Sequence, residues 1–199
     1  MVARDRLRLG RLPPRFTLVV TLNGGAGLIG TMALVPQVAD AVRVPVIAAG
    51  GIADGRGVAA AFALGASGVQ IGTAFLGCPE AVVPAVHRKA LHQATDEDTR
   101  LTRVFTGRPA RALRNRLIDE MGDAEALEFP VQASLTRPLS QANSDATLAA
   151  FLPLWAGQAA PLLRDLPAAS LSMRWLRKVG SDCHGLAVCD QRHRLSGGQ

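Results

Sequence analysis

Apolar positions along the chain fall into short strand-like runs that alternate with helical stretches. Phe16–Leu22 is one such run, and residues 44–51, "VPVIAAGG", form a second, bounded by Pro45 and a glycine pair. The alanine-rich stretch Gly55–Leu64 is predicted helical, with Asp54 as its N-cap and Gly65 just past its end. Residues 68–73, "GVQIGT", give another buried strand. Strand, helix and strand in so short a span predict a βαβ unit with parallel strands. Pro36–Val42 reads as the rest of a short helix, with Pro36 near its first turn.

Further along, Val83–Ala94 and Pro109–Glu120 are expected to be helices, and residues 101–107 extended. Ala146–Ala159 is a third apolar helical stretch, interrupted by Pro153. Residues 1–15 read as a frayed, Arg-rich lead-in. Beyond residue 171 the pattern decays, and the chain contains no internal repeat.

Composition narrows this to one globular α/β domain, since 48% of the 199 residues are apolar. The net charge of +6 points toward a polyanion until its location is considered. Arg4, Arg6, Arg8, Arg11 and Arg15 lie at one end, and Arg174, Arg177, Lys178, Arg192 and Arg194 at the other. A nucleic-acid domain concentrates such charge on one folded face beside stacking aromatics, so no nucleic-acid partner is expected. Three cysteines without framework spacing fit a reducing, cytoplasmic setting. No apolar run is long enough to span a bilayer, so no membrane association is expected.

Gly25-Ala26-Gly27-Leu28-Ile29-Gly30 spells the dinucleotide fingerprint G-x-G-x-x-G after a strand-like run. Both confirmations are missing: Pro36 interrupts the helix that must follow, and the next strand ends in glycine rather than an acidic residue. The run is read as a loop. Gly50-Gly51 and Gly72-Thr73 are stronger signals. They end two adjacent parallel strands on the same edge, where exposed N–H groups form an anion nest suited to phosphate. Thr73 adds a hydroxyl, and Gln70 an amide directed toward a cofactor ring.

The stretch "LIGTMALVPQVADAVRVPVIAAGGIADGRGVAAAFALGASGVQIGTAFLGCPE", extended by "LTRVFTGRPARALRNRLIDE" and "LWAGQ", resembles the C-terminal half of nitronate monooxygenases, formerly 2-nitropropane dioxygenases. The resemblance covers residues 28–168, leaving 1–27 as a non-matching lead-in and 169–199 as a tail expected to be disordered. It implies the C-terminal part of a flavin-binding (β/α)8 TIM barrel, with the N-terminal strands missing and extra helices after the last strand. It also implies FMN as cofactor, held by Gly50, Gly51, Gln70, Ile71, Gly72 and Thr73, and an alkyl nitronate and molecular oxygen as substrates. The family's His-bearing motif has no counterpart in residues 1–27, so no catalytic residue is carried over. A related barrel, the flavin-dependent enoyl-acyl-carrier-protein reductase, shares much of the same motif and is the alternative enzyme. A non-catalytic fragment that self-associates through an open sheet edge is the alternative outside enzymology.

The remaining polar clusters read as surface. His87 and His92 are expected on a solvated helix. Arg103, Arg108, Arg111, Arg114 and Arg116 form a charge run, with Arg111 and Arg114 on one helix face near Asp119 and Glu120. Cys183, His184, Cys189 and His193 lack zinc-site spacing, so no metal is expected.

Overall fold

The structure, a computed structural model, describes residues 18–21, 29–122, 126–141 and 149–194, with backbone only for 18–21 and 182–194. Strands β1 (Leu18–Thr21), β2 (Val46–Ala49) and β3 (Gly68–Gln70) form a parallel sheet in that order. The register pairs Val20 with Ala48 and Ala48 with Val69. Helices α1 (Thr31–Ala41) and α2 (Gly55–Ala63) are the crossovers, so the predicted βαβ unit is present. The fold class is α/β.

Local chemistry explains these elements. The Asp54 carboxylate accepts from the N–H groups of Arg56 and Gly57, which caps α2 where its first turn lacks partners. Pro36 lies inside α1, in its second turn, so the helix begins earlier than proline placement alone suggests. Val35, Ala48, Ile52, Val58, Ala61 and Ala66 make a buried cluster between the sheet and the two helices. Small side chains dominate it, which brings the helices close to the sheet.

After a short 3-10 turn at Thr73–Gly77 comes helix α3 (Ala85–Gln93) and then a separate antiparallel hairpin, β4 (Thr99–Thr102) and β5 (Ala110–Leu113). The expected helix Pro109–Glu120 is therefore two elements. Ala112 and Leu113 are buried in the pairing with β4, and Asn115 then caps the short helix α4 (Arg116–Met121) by accepting from Ile118 N–H. The expected helix Ala146–Ala159 is also corrected over residues 152–159. There the chain is not helical and Trp155 bridges Ala112, because the β5 backbone offers pairing partners beyond the hairpin. Helix α5 (Val131–Gln141) follows α4 and is tied to the hairpin loop, with Gln132 donating to Val104 O and Thr136 to Phe105 O.

The tail expected to be disordered is a helix, α6 (Ala168–Arg194). Leu171, Trp175 and Val179 recur every four residues on the face turned to the body of the protein. Leu171 and Trp175 are buried, and Trp175 meets Phe75 edge to face at 5.1 Å. Glu80 accepts from the Ala168 N–H at the start of α6. Gly55 makes the approach possible, since a Cβ there would lie 2.5 Å from Lys178 Cβ. The fingerprint glycines 25 and 27 and the side chains of Cys183, His184, Cys189 and His193 lie outside the described residues.

Trp175→Ala is expected to lower unfolding stability by about 3 kcal/mol, the usual cost of removing a buried large aromatic. Leu176→Ala, one position away on the exposed face, should change it by less than about 0.5 kcal/mol. Urea denaturation followed by circular dichroism distinguishes the two. Equal effects would mean that α6 does not dock through the Trp175 face.

Candidate functional site

The C-terminal ends of β2 and β3 open into a cavity of about 300 Å3 lined by Gly50, Gly51, Gly72, Thr73, Leu76, Arg111, Trp155, Ala156, Gly157 and Gln158. Gly50 and Gly51 have φ of 97° and 73°, a backbone that side-chain-bearing residues rarely adopt. Thr31 at the start of α1 fixes this turn: its hydroxyl donates to Gly50 O at 2.7 Å and lies 3.1 Å from Ala49 O. The N–H groups of Gly51 and Gly72 have no backbone acceptor among the described residues. Nothing stands within 4 Å of where a Cβ would lie on Gly51 or Gly72, so both backbones are open to a ligand.

The opposite wall comes from far along the chain. Gly157 N–H donates to Thr73 Oγ1 at 2.9 Å, which fixes that oxygen as an acceptor and leaves its own proton to donate. A Cβ on Gly157 would sit 3.5 Å from Thr73 Oγ1 and 4.0 Å from Gly51 N, within the cradle. Arg111 on β5 reaches the same cavity, with Nη1 donating to Thr99 Oγ1 at 3.0 Å and lying 3.3 Å from Thr99 O. Trp155 is held edge to face against Phe105 at 5.3 Å.

Four of the six residues expected at a cofactor, Gly50, Gly51, Gly72 and Thr73, thus meet at one cavity. Gln70 and Ile71 do not line it. Successive strand residues face opposite sides, so Gln70 is exposed on the face away from the helices while Ile71 packs into the helix-side core. Arg111, Trp155 and Gly157 were not predicted as site residues. They lie in the motifs "LTRVFTGRPARALRNRLIDE" and "LWAGQ", but what brings these to the cavity, the pairing of Ala112 with Trp155, is tertiary.

Two readings of surface residues are corrected. Arg111 and Arg114 do not share a helix face; Arg111 is in a strand, while Arg114 pairs with Asp119 and Arg116 with Glu120. His87 is not solvated. It is half-buried, and its Nε2 is enclosed with no hydrogen-bond partner among the described residues. Burial pushes the His87 pKa below the ordinary histidine value, and a hydrogen bond with the Trp155 backbone opposes that shift only in part. His92 is exposed, as expected, and its Nε2 lies 3.1 Å from Asp165. Burial, together with the Glu80 charge, raises the Cys78 thiol, which leaves it a core residue rather than a nucleophile. Among the described residues no group of three or more His, Cys, Asp or Glu is placed to hold a metal, and no helix is long and apolar enough to cross a membrane.

The fold and site define a class first: a parallel α/β sheet with a glycine-lined cavity at the C-terminal edge of its strands. The particular family follows from comparison. The nitronate monooxygenase family model matches residues 21–172, and the chain belongs to that family of oxidoreductases. A probable nitronate monooxygenase of Bacillus subtilis is 46% identical over 136 residues, covering 67% of this chain and 39% of the relative. One from Staphylococcus saprophyticus is 43% identical over 146 residues, covering 72% and 41%. The structure resembles the nitroalkane oxidase of Streptomyces ansochromogenes, with a TM-score of 0.74 and 42% identity over 79% of this chain and 46% of that one. FabK from Thermotoga maritima superposes with a TM-score of 0.67 and 36% identity over 86% and 56%. The chain spans about two fifths of the length of the curated relatives it matches.

Two outcomes follow from the site. Thr73→Val, which leaves the Gly157 N–H without its acceptor, should cost about 1 kcal/mol in urea denaturation, and Thr73→Ser should restore it. If the serine variant is as unstable as the valine one, the hydroxyl is not what joins the walls. For His87 the folded pKa is depressed, so the unfolded chain binds the proton more readily. Its contribution to stability is full above about pH 6.5 and is lost as pH falls below that value. Denaturation midpoints measured at stepped pH should decline on acidification, and less steeply in His87→Phe.

Proposed function

We propose that the cavity is the phosphate grip for FMN in an enzyme that oxidises alkyl nitronates with molecular oxygen to a carbonyl compound and nitrite. The observation that carries this reading is the joint placement of Gly51, Gly72 and Thr73 around one small cavity, with two backbone N–H groups unspent. The residues fit the group: the cradle is open where a Cβ would obstruct a phosphate, it offers N–H and O–H donors, and Arg111 brings positive charge. Membership of the nitronate monooxygenase family supports the reaction class.

FMN, when bound, supplies the electron transfer of the reaction. This chain's residues bind and orient. Gly51 and Gly72 donate backbone N–H bonds to phosphate oxygens, and Thr73 donates its hydroxyl while keeping Gly157 in place. Gln70 stands at the end of β3 on the face opposite the helices, which suits an amide directed at the cofactor beyond its phosphate. No residue here is assigned the abstraction of a proton from substrate. The His87 Nε2 is enclosed and its ring is hydrogen-bonded to the Trp155 backbone, and His92 lies beside Asp165. The partners under this reading are a small nitronate or nitroalkane and oxygen, in a cytoplasmic setting. Residues 28–168 are the barrel-forming part, and self-association through an open sheet edge is a further partnership under this reading.

The test is incubation of the purified chain with excess FMN, desalting, and a visible spectrum. A retained flavin band is expected, and it should be lost in Gly51→Ala. There a side chain is forced onto a backbone with φ of 73°, at a cost of about 1–2 kcal/mol in the turn. A band equally strong in both proteins would mean that flavin is held elsewhere, and a colourless wild-type protein would overturn the FMN reading for this chain. Oxygen uptake with a nitronate, set against enoyl reduction with a pyridine nucleotide, then separates the two enzyme readings.

A further inference from the structure

We infer that Arg111 is the residue that makes this cradle select a charged phosphate ester over the uncharged flavin nucleoside; the inference rests on the flavin reading above. The argument begins with the partners of the arginines around it. Arg103 is paired with Glu128, Arg114 with Asp119 and Arg116 with Glu120. Arg88 spends its guanidinium on the carbonyls of Gly77, Cys78 and Ala81. Arg111 differs from all of these. It is half-buried, it lines the cavity, and no carboxylate pairs with it among the described residues.

Its hydrogen bonds point the same way. Nη1 alone is engaged, on Thr99 Oγ1 and Thr99 O, both across the β4–β5 hairpin. The Nε and Nη2 donors have no partner among the described residues. A guanidinium carries five N–H donors in a rigid fork matched to phosphate oxygens, and a partly desolvated cation without a counter-ion favours an anionic ligand. Thr99 thus acts as a strut: it fixes one arm of the fork and leaves the others for the cavity. Backbone N–H groups and a Thr hydroxyl bind any oxygen-rich group at this edge. The full positive charge is what separates a phosphate monoester from a free ribityl hydroxyl. Arg111 is accordingly a specificity residue, with no part in the oxidation itself.

The experiment is a fluorescence titration of the chain with FMN and with riboflavin, each repeated in the presence of inorganic phosphate. The unsubstituted chain should bind FMN at least tenfold more tightly than riboflavin, and phosphate should compete with FMN only. In Arg111→Met, which keeps the aliphatic stem, FMN affinity should fall by about 10- to 100-fold, the range for a charge-assisted hydrogen bond, with riboflavin affinity unchanged. Arg111→Lys should recover part of the loss. Because Arg111 also braces the hairpin, Thr99→Val is run beside it. That variant removes the Oγ1 strut and lowers stability, yet should retain the preference for FMN. A preference that survives in Arg111→Met overturns the inference while leaving the flavin reading intact. Equal loss of FMN and riboflavin binding in Arg111→Met assigns the residue to structure alone and overturns it too. If the unsubstituted chain binds neither flavin, the cofactor reading fails and the inference fails with it.

Discussion

The hydrogen bond from Gly157 N–H to Thr73 Oγ1 joins two parts of the chain that are 84 residues apart. On one side stands the parallel sheet with its crossover helices, and on the other the β4–β5 hairpin with the segment around Trp155. The cavity exists only where these parts meet. The sheet supplies open backbone at Gly51 and Gly72, and the hairpin supplies Arg111. A bond of 2.9 Å across that seam therefore fixes the distance between the cation and the N–H donors. The second constraint acts within the sheet unit, where the Thr31 hydroxyl holds the Gly50 carbonyl and so determines which way the Gly51 N–H faces.

Parallel pairing explains why small residues collect at this edge. Neighbouring parallel strands end on the same side of the sheet, and their turns into the following helices leave N–H groups unpaired. At Gly51 the positive φ of 73° is one that a residue with a side chain rarely adopts. The helix side is packed by Val35, Val58 and Ala61, while α6 packs Leu171 and Trp175 against Ala53, Ala74 and Cys78 and joins the helix-side cluster through Val179. The edge is thereby held from behind by a close-packed core, so the donors are positioned before any ligand arrives.

Features written into local sequence were legible. The Asp54 cap, the positive-φ Gly65 and the apolar runs around Ile47 and Val69 define the βαβ unit without reference to anything distant. What escaped was set by tertiary pairing. Ala110–Leu113 has helical propensity, yet it is a strand because β4 lies opposite and Leu154 accepts from Leu113 N–H. Leu171 and Trp175 lie in a stretch that also carries Arg174 and Arg177, so their stripe reads as decay until Ala53, Ala74 and Cys78 are seen to face it. Arg111 was hidden for the same reason. Its spacing from Arg114 fits one face of a helix, and only the hairpin turns it into the cavity.

Gln70 shows how the binding of the phosphate end separates from the chemistry. The pleat places Val69 against the helices and Gln70 on the other face, beside Gly68 and Ile47. That face is not closed by any further strand among the described residues. The cradle has a different dependence, since each of its walls belongs to the described residues and is braced by hydrogen bonds within them. Gripping an anion needs only this local geometry. Aligning a flavin ring with a substrate needs groups placed across the sheet's open face, and exclusion of water from that face as well. Affinity for a phosphate ester and turnover of a nitronate are therefore separable properties of this fold, and the cradle residues bear on the first without guaranteeing the second.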